Sequence, residues 1–153
     1  MKLLRALLAF TLVGFVSVNA MAQEHGTKDE AKAMAEKAVA YIKSAGTEKA
    51  FKDFTSDKAN WTKKDIYVYV ADFQGNVLAH GANEKLVGKS LLEMKDQNGK
   101  QFVKEAIEVV KTKGSGWIDY DWAHPQTKKV EGKTTYVLKA GNFDGFVAVG
   151  IYR

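Results

Sequence analysis

A small set of side chains in this sequence could hold an organic anion away from water. A buried anion must exchange its hydration for hydrogen bonds, and phenol, imidazole, indole and ammonium groups all donate them. Each of these residues could instead be an ordinary packing or surface residue. The candidates are Tyr69, His80, Tyr120, Trp122, Lys133 and Tyr136.

Catalytic and metal-binding patterns are weak by comparison. The chain contains no cysteine, which excludes thiolate chemistry, disulfides and covalent haem attachment. A triad would have to be assembled from scattered residues, because no G-x-S-x-G elbow is present. The histidines at positions 25, 80 and 124 follow no metal-binding spacing. We therefore expect a protein that is not an enzyme and uses neither metal nor cofactor.

Length and composition fit one globular domain. The chain has 153 residues, of which 46% are hydrophobic and 27% are charged. Its net charge of +5 includes Lys2 and Arg5, which lie in a segment that reads as an export signal. The remaining excess of positive charge is too small to predict a nucleic-acid partner.

The first 22 residues have the pattern of a secretory signal peptide. Lys2 and Arg5 precede a mostly apolar run, and Ala20-Met21-Ala22 offers small residues at both positions of an A-x-A cleavage site. The alternative is a membrane anchor, but the apolar run is shorter than the roughly 20 residues that span a bilayer. We expect cleavage after Ala22 and a periplasmic domain over residues 23–153.

Three segments have helical signals. Thr27-Lys28-Asp29-Glu30 has the form of a capping box, and apolar residues then recur at three- and four-residue spacing as far as Gly46. A short second helix is predicted over about residues 47–54. A further helix is predicted from about Gly99 to Gly114, where glycine is a natural stop.

Period-two alternation predicts five strands. Residues 66–71 and 77–80 form a hairpin, in which Tyr67 and Tyr69 share one face. An aromatic strand follows Gly116 and places Tyr120 and Trp122 on one face, and a polar connection is expected over residues 123–132. The last two strands are predicted over residues 134–140 and 146–152. The order of elements predicts an α+β domain with one antiparallel sheet.

Several segments in this order resemble the single Cache domain of bacterial chemoreceptors and histidine kinases. They cover the chain from about Thr27 to Tyr152 and are Tyr67–Asp72, Gly75–His80, Leu86–Leu91, Lys95–Lys100, Gly116–Trp122 and Gly150–Tyr152. The resemblance implies a PAS-like fold, with a long N-terminal helix packed on a five-stranded antiparallel sheet. It also implies a pocket near the candidate residues that binds a small molecule, commonly a short carboxylate.

The same resemblance leaves the protein's partners open. Family members usually carry signals across a membrane, whereas this chain ends at Arg153 just after the last predicted strand, so we expect no output domain here. A membrane chemoreceptor, a histidine kinase or a transporter would then be the partner. The alternative is an interaction module with a vestigial pocket. In receptors Cache domains pair through the first helix, and here Ala31, Ala35 and Ala38 would permit a homodimer or pack on the domain's own sheet.

Lys133 would be the main counter-charge for a carboxylate, provided that it points inward. Outside the predicted signal peptide the sequence has one arginine, Arg153 at its last position. An arginine clamp around the ligand is therefore not expected. Lysine acts as a point charge and lacks the two-pronged grip of a guanidinium group. Lysine and tyrosine hydroxyls would therefore have to hold the anion.

Overall fold

The computed structural model describes residues 24–153. Its helices are α1 (Lys28–Ala45), α2 (Thr47–Ser56), α3 (Lys58–Trp61) and α4 (Phe102–Lys113), with a short 3-10 helix at Glu84–Leu86. Its strands are β1 (Thr62–Lys63), β2 (Ile66–Asp72), β3 (Val77–His80), β4 (Ser115–Ala123), β5 (Val130–Lys139) and β6 (Gly145–Tyr152). The predicted α+β class is confirmed.

Helix α1 begins at the predicted capping box. The hydroxyl of Thr27 accepts from the backbone N–H of Glu30, and the Glu30 carboxylate accepts from the backbone N–H of Thr27. The alanine stripe of α1 is fully buried against the domain's own sheet, together with Ile42. A homodimer contact through these alanines is therefore wrong as a prediction, because their side chains are already covered.

The strands form one antiparallel sheet in the order β1-β2-β6-β5-β4, with β3 also paired to β2. Strand β1 was not predicted and is only two residues long. The connection between β4 and β5 is shorter than predicted, since cross-strand pairing continues to Ala123 and Val130. The remaining turn is short and contains the buried His124.

Two cores cover the two faces of this sheet. The α1 face carries Val68 and Val70 of β2 with Val147 and Val149 of β6, and α1 and α2 cover it. The α4 face carries Ile118 of β4, Val137 of β5 and Phe146 of β6, and α4 covers part of it. Side chains alternate between the two faces along each strand.

In residues 24–153, no helix has the length and apolar character needed to cross a bilayer. The predicted signal peptide, residues 1–22, lies outside the described residues.

Candidate ligand-binding site

A small cavity opens on the α4 face between the sheet and the start of α4. Its volume, measured as the space open to the centre of a water molecule, is only about 10 Å³. That room suits about one water, so a larger guest requires lining side chains to shift. The lining residues are Tyr67, Tyr69, His80, Leu91, Phe102, Tyr120, Trp122 and Lys133.

Lys133 is the positive group of this cavity. Its side chain is 3% exposed, and its Nζ donates to the hydroxyl of Tyr67 at 2.8 Å. Nζ also lies 4.1 Å from the ring centroid of Tyr67 and 5.0 Å from that of Tyr152, positions that favour the charged form. Among residues 24–153, no carboxylate oxygen lies within the 4.0 Å of an ion pair from this amine.

Burial lowers the pKa of Lys133 from 10.5 to about 7, and the more distant Asp65 opposes this shift. The cause is the loss of hydration around the ammonium group, which the aromatic rings and one hydroxyl replace only in part. An anion placed beside the amine would favour the charged form. The site is therefore electrostatically suited to an anionic guest.

Gly150 on β6 explains how the Lys133 side chain crosses from β5 towards β2. A Cβ atom at position 150 would lie 2.5 Å from the Cε of Lys133 and would also overlap the Oγ1 of Thr135. The missing side chain leaves a channel over β6 in which the lysine stem lies. The direction of Lys133 thus depends on a residue of the neighbouring strand.

The hydroxyl of Tyr67 begins a chain of polar contacts that leads out of the cavity. It lies 3.3 Å from the hydroxyl of Tyr152, which in turn donates to the carbonyl oxygen of Ala123 at 2.8 Å. Burial raises the pKa of Tyr67 well above the ordinary tyrosine value and raises that of Tyr152 as well. Both phenols therefore stay protonated and serve as hydrogen-bond donors and acceptors.

His80 faces the cavity as a neutral ring. Its Nδ1 accepts from the backbone N–H groups of Ala82 and Asn83, at 3.2 and 2.9 Å, so the ring hydrogen resides on Nε2. Burial, with the nearby charges of Lys133 and Lys58, lowers the pKa of His80 to about 3. His80 contributes a hydrogen-bond donor and no charge.

Tyr69 and Tyr120 bring two more hydroxyls. Within the described part of the chain, the buried hydroxyl of Tyr69 has no hydrogen-bond partner. Tyr120 is better satisfied, since its hydroxyl accepts from Thr135 at 3.2 Å. Burial raises the pKa of both phenols, that of Tyr120 to about 12. An unpartnered buried hydroxyl costs free energy unless a guest completes it.

Aromatic rings form a large part of the cavity wall. Phe102 stacks on Tyr120 with ring centroids 4.4 Å apart, and Trp122 meets Phe102 edge-on at 5.4 Å. Leu91 adds an aliphatic surface. The side chain of Trp122 also interacts with the hydroxyl of Tyr67, which accepts from Lys133, so the aromatic wall reaches the polar groups around the amine.

Tyr136 is the predicted site residue that does not reach the cavity. It packs in the α1-face core, and its ring centroid lies 5.1 Å from that of Trp117. Positions 133 and 136 are three residues apart on one strand, so their side chains point to opposite faces. Its predicted place in the pocket is wrong, whereas Tyr69, His80, Tyr120, Trp122 and Lys133 all line the cavity.

Sequence reasoning left three cavity residues out of the site. Tyr67 could have been found, because it shares a strand face with Tyr69. Phe102 begins the apolar repeat of the predicted third helix, which indicates that it is buried but not that it lines the cavity, and Leu91 lies in an irregular segment without a periodic pattern. Their contribution emerges only from the fold.

A surface groove adjoins the cavity and shares Tyr67, His80 and Trp122 with it. The groove extends past the exposed side chains of Lys85 and Lys128. Two lysines along the approach favour the entry of anions over cations.

A second polar cluster lies at the start of the domain. Asp65 is buried and accepts from His25 Nδ1 at 2.9 Å and from the Gly26 N–H at 2.7 Å, and His124 Nε2 lies 3.9 Å from it. The three possible ligand atoms fall within 4.8 Å of one another, although the sequence spacing suggests no metal site. The Nδ1 of His124 accepts from backbone N–H groups, so Nε2 carries the hydrogen and suits a carboxylate better than a metal.

Sequence comparison gives relatives among bacterial sensors. Residues 6–153 match the family described as Single Cache domain 2. The sensor histidine kinase MctS of Rhizobium johnstonii is 29% identical over 89 residues, which is 58% of this chain and 19% of the kinase. The chain therefore spans only a small part of that relative's length.

Solved structures show the same architecture. A methyl-accepting chemotaxis protein from Vibrio parahaemolyticus has a TM-score of 0.72 and 26% identity, covering 82% of this chain and 87% of that one. A Cache chemosensory domain described as recognising carboxylic acids has a TM-score of 0.66 and 22% identity, covering 81% and 86%. The second likeness concerns the fold alone.

Proposed function

The chain belongs to the single Cache domain 2 family, and we propose that it is an extracytoplasmic ligand-binding domain that takes a short organic carboxylate in the cavity beside Lys133. Cache domains of chemoreceptors and histidine kinases bind ligands and pass the signal on. In this proposal the bound solute is sensed and is not transformed.

The observation that carries the proposal is a buried ammonium group without a carboxylate partner among residues 24–153. Burying a charge is costly unless an opposite charge and hydrogen bonds compensate for it. A carboxylate ligand would supply the missing opposite charge. The hydroxyl of Tyr67 and the Nε2–H of His80 would then share its oxygen atoms with Lys133.

The shape of the cavity argues for a short ligand. The rings of Phe102, Tyr120 and Trp122 pack on one another in the cavity wall. A tail of one or two carbons would contact these rings after small side-chain shifts, whereas a long chain would have to separate them. A short carboxylate is also the chemical class named for one neighbour of the same fold.

Export and partnership belong to the proposal as well. We infer that residues 1–22 direct the chain to the periplasm and are removed there, and that the domain works with a membrane chemoreceptor, kinase or transporter. Mass spectrometry of the protein recovered from the periplasmic fraction tests the first point. A mature chain beginning at Gln23 is expected, and an uncleaved chain in the membrane fraction would contradict it.

A thermal-shift screen tests ligand binding. Acetate, propionate, lactate and pyruvate are each compared with the corresponding amide, which keeps the shape and removes the charge. A ligand at about a hundred times its dissociation constant adds roughly 2.7 kcal/mol of stability. We expect stabilisation by at least one acid and none by its amide.

Matched lysine variants show where the acid binds. Lys133→Met should abolish the shift, whereas Lys139→Met, on the exposed end of the same strand, should keep it. Equal shifts in both variants would contradict the assignment of Lys133.

A second candidate function is an interaction module with a vestigial pocket. The small free space in the cavity favours it, since about 10 Å³ admits the centre of little more than one water. Failure of every small molecule in the screen, together with recovery of a membrane receptor by cross-linking in cells, would support this candidate.

A further inference from the structure

The buried amine of Lys133 has features that pure anion binding does not require. Where a lysine only balances a carboxylate, a fully charged ammonium at the rim of a pocket serves well. Here burial lowers the pKa of Lys133 to about 7, so that part of the population carries a neutral amine at neutral pH. A neutral amine has a free lone pair and is a nucleophile towards carbonyl carbon.

The neighbours of the amine suit carbonyl addition. The hydroxyl of Tyr67 lies 2.8 Å from Nζ and is backed by the hydroxyl of Tyr152 at 3.3 Å. A phenol in this position can pass a proton to an oxygen atom that develops beside the amine. The hydroxyl of Tyr69, buried in the same cavity, has no partner within the described residues. It is available to a second oxygen-bearing group of the ligand.

We propose that Lys133 captures small 2-oxo acids covalently and reversibly, as an imine between its Nζ and the ligand's carbonyl carbon. The inference rests on the proposed function, because it places the ligand in the same cavity. In the adduct the nitrogen of Lys133 is part of the imine, so the ligand carboxylate, which Lys133 holds in a simple acid, moves to the Tyr69 hydroxyl and keeps the Nε2–H of His80. The adjacent carbonyl then faces the amine.

The chemistry balances without any further reactant. The lone pair of Nζ forms a bond to the carbonyl carbon, and the π electrons of the carbonyl move to its oxygen, which takes up one of the two amine protons through the Tyr67 hydroxyl. The resulting carbinolamine loses water: its C–O bond breaks, the oxygen takes the second proton from nitrogen, and the nitrogen lone pair forms the C=N bond. Hydrolysis reverses the sequence and releases the ligand unchanged.

Reductive trapping tests the inference on the full chain. The protein is incubated with pyruvate and sodium cyanoborohydride, which supplies hydride to an imine and converts it into a stable secondary amine, and the modified lysines are located by peptide mass spectrometry. Lactate serves as the control, since it has the same carboxylate and carbon skeleton but no carbonyl group. With pyruvate we expect Lys133 to be labelled at least about ten times faster than the exposed Lys139. With lactate we expect no labelling of Lys133.

Two further measurements keep the test decisive. Excess lactate should slow the labelling of Lys133 in the unaltered protein, which places the adduct in the ligand cavity without requiring a variant to fold. Lys133→Arg should lose the fast label, and Lys139→Arg should keep it. Labelling of Lys133 at or below the rate of Lys139 would overturn the inference.

The outcome also separates the two proposals. If pyruvate and lactate both raise the melting temperature but pyruvate leaves no adduct on Lys133, carboxylate binding stands and covalent capture is wrong. If no short acid gives a shift and no adduct forms, both proposals fail.

Discussion

The two faces of the sheet are built from the same strands but bury different kinds of side chain. The α1 face is covered by buried alanines and by aliphatic residues such as Val68 and Val149, all without exposed surface. The α4 face buries Lys133, His80 and several phenols beside its apolar core. Alternation along β5 places Lys133 on one face and Tyr136 on the other.

The difference indicates which face contributes stability and which contributes function. Apolar burial on the α1 face stabilises the domain in proportion to the area removed from water. The α4 face keeps a lysine whose pKa burial lowers to about 7 and a hydroxyl of Tyr69 without a partner among the described residues. Both features reduce stability, which is expected of groups reserved for a ligand.

Truncation of a core side chain on the α1 face should cause the largest change in the free energy of unfolding. Phe54 is fully buried and packs edge-on against Trp61 at 4.5 Å. Phe54→Ala should reduce the free energy of unfolding by about 3–5 kcal/mol, as measured by urea denaturation. The ligand-induced shift of the folded fraction should persist. A loss of ligand response with little loss of stability would break the division between the faces.

Removal of the buried amine should have the opposite effect on stability. Lys133→Met fills similar volume without a charge and should stabilise the ligand-free protein at neutral pH by about 1–4 kcal/mol, the range for replacing buried ions by apolar residues. A destabilised Lys133→Met protein would show that the lysine serves the fold.

The free energy of unfolding should depend on pH because the Lys133 amine titrates at different pH in the folded and unfolded states. The pKa of Lys133 is lowered from 10.5 to about 7 in the folded state, so between these values the unfolded chain binds more protons and stability rises with pH. The difference between wild type and Lys133→Met in urea denaturation should therefore shrink by about 2 kcal/mol from about pH 7 to pH 9. A constant difference would mean that the amine has an ordinary pKa.

Gly150→Ala on β6 should show whether ligand binding depends on the path of the Lys133 side chain. The added Cβ would meet the Cε of Lys133 at 2.5 Å and displace the lysine from its channel. We expect a destabilisation of about 1–3 kcal/mol, typical of overpacking, and a loss of ligand response. Unchanged ligand affinity in isothermal titration would show that the path of the side chain does not matter.

The smallest change in stability is expected for Tyr69→Phe, which is compared with the matched variant Tyr136→Phe. Tyr69→Phe removes the unpartnered hydroxyl and should raise stability by about 1 kcal/mol or less while weakening ligand binding several-fold. Tyr136→Phe, on the α1 face, should leave ligand binding unchanged. Equal weakening of binding by both variants would remove the distinction between the faces.

Periodicity in the sequence was sufficient for part of this picture. Alternation placed Tyr69, Tyr120 and Trp122 on the correct faces, and the capping box located the start of α1. The same rule, applied along β5, would have separated Tyr136 from Lys133.

The remaining site residues depend on contacts between distant segments. Leu91 lies in an irregular segment, and the inward path of Lys133 depends on the missing side chain of Gly150. No local pattern encodes either fact. The cluster of His25, Asp65 and His124 also depends on contacts between distant segments, because the spacing of these residues in the sequence does not indicate that they lie together.

Titration of the Lys133 side chain by NMR tests the central claim most directly. The protein is labelled with ¹³C at lysine Cε, and the resonance of Lys133, assigned by its absence from Lys133→Met, is followed with pH in the absence and presence of saturating propionate. We predict a pKa near 7 without ligand and a clear increase with propionate, because the bound carboxylate stabilises the ammonium form. A pKa that is the same with and without saturating ligand would contradict the claim that Lys133 holds the carboxylate.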